Sequence, residues 1–158
     1  MRRKFDTQME KQLGFTLVET LVAMVVLAVG MLGIAALYIE GLRSGQASVS
    51  RTTAVNLAAD MAERIRANPT VPGSYAGAGP GANNNCVNGA AACTPAQVAA
   101  EDWFWWRQDV LNRLPQGAVA NVVTVPIVAP PMNQYDVLLA WPEPGQPVNA
   151  TYQLRFTF

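Results

Sequence analysis

Between Phe15 and Ile39 the chain reads FTLVETLVAMVVLAVGMLGIAALYI, 25 residues with a single charge, Glu19. As an α-helix rising about 1.5 Å per residue, this run is roughly 37 Å long, enough to cross a bilayer core of about 30 Å. It is apolar on all sides. A chain of 158 residues is too small to enclose a helix of that length in its own core. The run is therefore read as a membrane span. A cleaved secretory signal would have a shorter apolar core of about 7–15 residues and no acid inside it.

The flanks set the direction. Met1–Gly14 carries Arg2, Arg3, Lys4 and Lys11 against Asp6 and Glu10. Positive charge ahead of the first span holds the N-terminus on the cytoplasmic side, so everything after Ile39 is expected across the membrane. Glu19 stands out within the span. An acid in hydrocarbon costs up to about 2.5–3.5 kcal/mol on the insertion scale, and less near an interface. A passive anchor gains nothing from it. Two readings follow: a carboxylate that meets a partner, or one that snorkels to the cytoplasmic face from its place four residues past Phe15.

Composition excludes several classes of function. The chain has no His, which removes imidazole catalysis and His-ligated metal sites, and its two Cys cannot build a four-thiolate zinc site. No metal and no cofactor is expected. Neither a Gly-x-Gly-x-x-Gly nor a Walker loop occurs. Eleven basic residues balance eleven acidic ones, which leaves no electrostatic footprint for nucleic acid. Without a His, a spaced acid pair or a Gly-x-Ser-x-Gly turn, an enzyme is not expected.

Gly14-Phe15-Thr16-Leu17-Val18-Glu19, set between a short basic leader and a long apolar run, resembles the class III signal of type IV pilins and of type II secretion pseudopilins. In those families a prepilin peptidase cuts after the glycine matching Gly14 and N-methylates the residue matching Phe15. The glutamate matching Glu19 pairs with the new terminal amine during filament assembly. Cleavage there would leave 7 Arg, no Lys and 9 acids, a net charge of −2. VLAVGMLGIAAL, with its paired Gly30 and Gly33, and the Met61–Asn68 ending MAERIRAN are similar to PilV-type minor pilins. So are Trp106 and the later Leu114-Pro115-x-Gly117. The likeness covers residues 14–69 and, more loosely, 101–158. It does not extend to 70–100. It implies as partners the other major and minor pilins, the prepilin peptidase/N-methyltransferase and the inner membrane. The implied location is a single-pass inner-membrane protein with a periplasmic head, which then joins a pilus filament.

The remaining sequence is read from its own patterns. All prolines lie after residue 68, so one helix can run from Phe15 to Ala67, stopped by Asn68-Pro69. Ala47, Ser50, Ala54, Leu57, Ala58, Met61 and Ile65 share one face at helical spacing, with Arg51, Glu63 and Arg66 elsewhere. Gly30, Gly33, Gly41 and Gly45 each weaken the helix by about 1 kcal/mol relative to Ala. They serve either close packing in a membrane or a segment that unwinds on leaving it. Residues 70–94, rich in Gly, Ala, Asn and Pro, read as a variable loop that buries little. Asn88-Gly89 is a turn signal inside it. Cys86 and Cys93 bracket that turn and are expected to form a disulfide in an oxidising compartment, worth about 2.5 kcal/mol on loop-closure grounds. The alternative is a pair of inert thiols.

Thr94-Pro95-Ala96-Gln97 is a capping box that starts a second helix, stopped near Pro115-Gln116-Gly117. Ala99, Trp103, Trp106, Val110 and Leu114 line its buried face, flanked by Phe104 and Leu111. Trp105 points away and is the candidate interface aromatic. Three strands follow, over Ala118–Val128, Tyr135–Trp141 and Tyr152–Phe158, separated by Pro130-Pro131 and Pro142-Glu143-Pro144-Gly145. The expected fold is α+β and pilin-like. A long N-terminal helix, apolar and then amphipathic, packs on a small antiparallel sheet, with one extra helix. Residues 1–14 form the leader, 15–39 the span and 40–158 the head. The expected function is a minor pilin. A secretion pseudopilin and a membrane-anchored glycan-binding module using Trp105 are the alternatives.

Overall fold

The computed structural model describes residues 14–87, 89, 92–127 and 132–157. The basic leader up to Leu13, Asn88 of the turn, Val128, Pro130-Pro131 and Phe158 lie outside the described residues. The elements run α1 (Leu17–Ala67), a short 3-10 turn (Pro72–Tyr75), α2 (Pro95–Arg113), β1 (Val119–Ile127), β2 (Met132–Trp141) and β3 (Ala150–Thr157). This is the α+β, pilin-like arrangement. The chain divides into two compact units, one up to Leu42 and one from Arg43 onward.

In the first unit, every described residue is exposed. Leu17, Leu21, Met24, Val25, Leu32 and Ile34 are among the large apolar side chains left exposed by the described residues. Gly30 and Gly33 are open as well, since a Cβ built on either meets nothing within 4 Å.

The second unit has a real core. Ala54, Leu57, Ala58, Met61 and Ile65 are buried as the helical spacing predicts. Ala62, which the spacing omitted, joins them. Helix α2 contributes Ala99, Trp103, Trp106 and Val110, with Leu114 just past its end. The two indoles meet edge to face, with centroids 5.2 Å apart. Both N–H groups find carbonyls: Trp106 Nε1 donates to Leu57 O at 2.8 Å and Trp103 Nε1 to Tyr75 O at 3.0 Å. A buried indole needs such a partner, so these two bonds fix how α2 sits on α1 and on the 3-10 turn. The capping box is formed, with Gln97 N donating to Thr94 Oγ1 and Thr94 N to Gln97 Oε1.

The sheet is antiparallel, in the order β1-β2-β3. Tyr135, Val137, Leu139 and Trp141 of the central strand are buried, as their alternation predicts. Each strand opens where its neighbour supplies a partner: Met132 pairs with Ile127 and Ala150 with Trp141. That is why β2 and β3 begin before the expected Tyr135 and Tyr152. Arg51 of α1 makes a two-pronged ion pair with Glu143 in the β2–β3 turn, at 3.0 and 3.1 Å.

Among the described residues of 70–94 little is buried, as expected, with one exception. Tyr75 has no exposed surface and belongs to the core. Its hydroxyl donates to Asp102 Oδ2 at 2.7 Å and accepts from Asn68 Nδ2 at 3.2 Å. Burial first, and then the bond to Asp102, push the phenol well above its ordinary pKa. Gly77 exchanges two 2.8 Å backbone bonds with Val122 of β1. Gly81, at φ +73, lies so close to α2 that a Cβ there would stand 2.3 Å from Ala100 O. The segment has few apolar residues because it is held by one tyrosine, by backbone bonds and by glycines that permit close approach. Counting hydrophobic residues does not detect that kind of attachment.

Candidate processing and assembly site

Gly14, Phe15 and Thr16 precede the helix as irregular backbone. Thr16 is the reason α1 starts where it does: its Oγ1 accepts from Glu19 N at 3.3 Å, and its carbonyl accepts from the same amide at 3.1 Å. Thr20 Oγ1 donates back to Leu17 O at 2.9 Å. Thr16-Leu17-Val18-Glu19 is a Thr-x-x-Glu helix start, a local signal that the hexapeptide already carried and that sequence reasoning missed. It places Glu19 in the first turn, where the helix dipole favours an acid.

The geometry bears on each of the residues singled out in the sequence. The Gly14–Phe15 bond lies outside the helix, on exposed backbone that an enzyme can grip. Gly14 is not required by packing, since a Cβ there meets nothing within 4 Å. Phe15, at 81% exposure, has no place in any core of this chain. Among the described residues, no cation reaches the Glu19 carboxylate. Fold stability therefore explains neither the glycine nor the phenylalanine, and it explains the acid only as a helix-start residue.

Cys86 and Cys93 are joined in a disulfide, with Cα atoms 5.7 Å apart. What anchors that loop is Glu101, a residue sequence reasoning missed. It is buried on α2 and accepts from Cys86 N at 2.6 Å, Val87 N at 3.4 Å and Trp105 Nε1 at 3.3 Å. The bond from the Cys86 amide, outweighing burial, holds its carboxyl below the usual glutamate range. The available signal was an acid four residues before the exposed tryptophan on the same helix. Trp105 is exposed, as predicted, and Phe104 meets it edge to face at 5.1 Å. Its neighbouring acid is already occupied by three donors, so the stacking-plus-carboxylate arrangement that a glycan site would use is not formed there.

Two family models match the chain. The prokaryotic N-terminal methylation motif covers residues 9–35, and with them Gly14, Phe15 and Glu19. The type IV pilin Tt1218 family, Tt1218-like, covers residues 36–104. The second match takes in residues 70–100, where the sequence by itself showed no likeness. No curated protein and no solved structure matches. The two adjoining matches run over more than half of the chain and, with the fold, mark it as a type IV pilin with a class III signal. It is a pilin subunit of pilus assembly, a structural class of protein, and the secretion pseudopilin alternative is not favoured.

Proposed function

We propose that this pilin is a minor subunit, PilV-like, anchored once in the inner membrane with its head in the periplasm before it joins the filament. A prepilin peptidase/N-methyltransferase cuts after Gly14 and methylates Phe15. Glu19 then meets the positive Phe15 amine, in the same or an adjacent subunit, inside an apolar filament core. There such a bond has little competition from water. Trp105 contributes to contacts with other pilins, and no nucleic acid takes part.

The observation that carries this reading is the junction itself. An exposed Gly14–Phe15 bond stands just ahead of a capped helix whose first turn holds an acid and whose next turns expose only apolar residues. The test uses a property of the composition. Both lysines, Lys4 and Lys11, lie in the leader. After cleavage the Phe15 amine is therefore the one primary amine of the chain. Intact mass and N-terminal analysis of sheared filaments should find a chain that begins at methyl-Phe15. A full-length chain beginning at Met1 in that fraction would sink the reading.

A further inference from the structure

The two cysteines sit on separate stretches of chain, and each stretch is fastened to the N-terminal part of α2 by bonds that do not involve sulfur. Ahead of Cys86, Ala82 N donates to Ala100 O at 2.9 Å and Asn84 Nδ2 to Gln97 O at 2.9 Å, while Cys86 N itself donates to Glu101 Oε2 at 2.6 Å. Gly81 permits this approach, because any Cβ there would run into Ala100 O. After Cys93 the next residue is Thr94, whose capping box with Gln97 sets the first turn of α2. Gln97 takes part in both attachments: its carbonyl receives Asn84 and its side chain receives Thr94 N. The chain reverses between the two stretches through backbone conformation. Asn85 is left-handed at φ +58, and Gly89 passes so close to Asn85 O that a Cβ would overlap it.

Among these contacts the one to Glu101 carries a charge. The residue is 3% exposed, and a carboxylate out of water needs its donors. Were the amides of Cys86 and Val87 to leave, Trp105 Nε1 would be the one donor left to it among the hydrogen bonds of the described residues. Undocking the loop is therefore penalised on α2 whether or not the two sulfurs are joined. Both cysteines are only partly buried, so a thiol reagent can reach them in the folded head.

We propose that the N-terminal part of α2 is a template that holds the Cys86 and Cys93 thiols side by side in the reduced head, with Glu101 as the positioning residue, so that the bridge closes on a loop already in place. Closure is exchange with an external disulfide oxidant. One cysteine thiolate attacks a sulfur of the oxidant's disulfide and expels its first thiol. The other cysteine thiolate then attacks the protein sulfur of the mixed disulfide and expels the second. Two electrons pass from the cysteine pair to the oxidant, and the two protons lost by the cysteines balance the two taken up by its thiols. The template acts on the second attack, which is intramolecular and follows the effective concentration of one sulfur at the other. Docking and closure then favour each other by the same factor.

The test equilibrates the full-length chain in detergent micelles with glutathione and glutathione disulfide, and reads open and closed bridges by alkylation and intact mass. Closure should be favoured about tenfold more in the wild type than in Glu101→Gln, equivalent to about 30 mV for this two-electron couple. Asn84→Ala, which removes the separate grip on Gln97 O, should shift the equilibrium the same way by a smaller factor. Arg107→Gln releases Ala78 O, further back on the same segment, and should leave it unchanged. Equal closure in the wild type and Glu101→Gln would overturn the template. So would an equal shift in Arg107→Gln, which would trace the effect to general loosening of the segment. A second readout is amide hydrogen exchange on the reduced chains. The Cys86 and Val87 amides of the reduced wild type should still exchange more slowly than those of reduced Glu101→Gln. Equal exchange there would show that the bridge, and not α2, places the loop.

Discussion

The two halves of α1 are one helix that needs two different surroundings. From Leu17 to Gln46 every residue is exposed, although this is the most apolar part of the molecule. From Ala54 to Ile65 a narrow stripe of alanines, Leu57, Met61 and Ile65 is sealed beneath α2 and the sheet. Apolar content and burial thus run in opposite directions along one element. The second half is stabilised by its own chain. The first half exposes a continuous apolar surface far larger than an ordinary soluble surface tolerates, so its partner must be lipid or another subunit. Changes in the first half should alter where the chain goes, and changes in the second half should alter whether the head folds.

The largest effect is expected from Gly14→Glu. The backbone there is exposed and no described residue packs against Gly14, so the substitution leaves the head untouched and removes the proposed cleavage junction. Immunoblots should show no mature-length chain, while the Cys86–Cys93 bridge forms as usual. A mature-length product would break the assignment of the first region as a processed signal.

Glu19→Ala comes next. Leu21–Ile39 is an uncharged run of 19 residues, able to span a bilayer alone. Membrane levels should equal or exceed those of the wild type, because a costly acid is gone. Filament levels should drop at least tenfold, equivalent to about 1.4 kcal/mol, because a charge left unpaired in an apolar core is strongly penalised. Incorporation at the wild-type level would return Glu19 to its local role at the helix start.

Trp106→Ala probes the other region. Removing a fully buried indole costs about 3–5 kcal/mol, and here it also strips the partner from Leu57 O. Denaturant unfolding of the full chain in micelles should show that loss in the head, with membrane insertion unchanged. A substitution that hindered insertion as much as it unfolded the head would erase the distinction between the two regions.

How much of this was legible in the sequence differs between the regions for physical reasons. The amphipathic stripe and the alternation of β2 follow from periodicity, because each buries side chains at regular intervals, while the span follows from an unbroken apolar run and the capping box at Thr94 from local residue order. Tyr75, Gly81 and Glu101 were not legible. What fixes them is a hydrogen bond or a close approach to residues far along the chain, such as Asp102, Ala100 O and Cys86 N. Periodicity carries no trace of such contacts. At the processing site the residues were visible, while the Thr16 cap was hidden because the hexapeptide reads first as a signal and only then as a helix start.

The smallest effect, and the most local, is expected at Glu101. Its carboxylate collects the amides of Cys86 and Val87 and the Trp105 indole, so its proton equilibrium is linked to docking of the disulfide loop on α2. The folded group titrates below the ordinary glutamate value. The stabilisation it provides is therefore complete above about pH 4.3, the unfolded value, and it fades as the pH falls through the lower folded value. Glu101→Gln keeps the shape but lacks the charge, and it brings an amide donor towards two amides that also donate. At pH 7 the exchange protection of Cys86 and Val87 should fall severalfold in this variant, with the core of α2 unaffected. As the medium is acidified, wild-type protection should decline towards the variant's, while the variant's own stays flat. The covalent bridge persists throughout, so any loosening reports the carboxylate rather than the disulfide. A gap between the two proteins that stays constant from pH 7 to pH 3 would show that Glu101 holds the loop by shape alone. Loop docking would then be a packing property of the head, like the rest of its core.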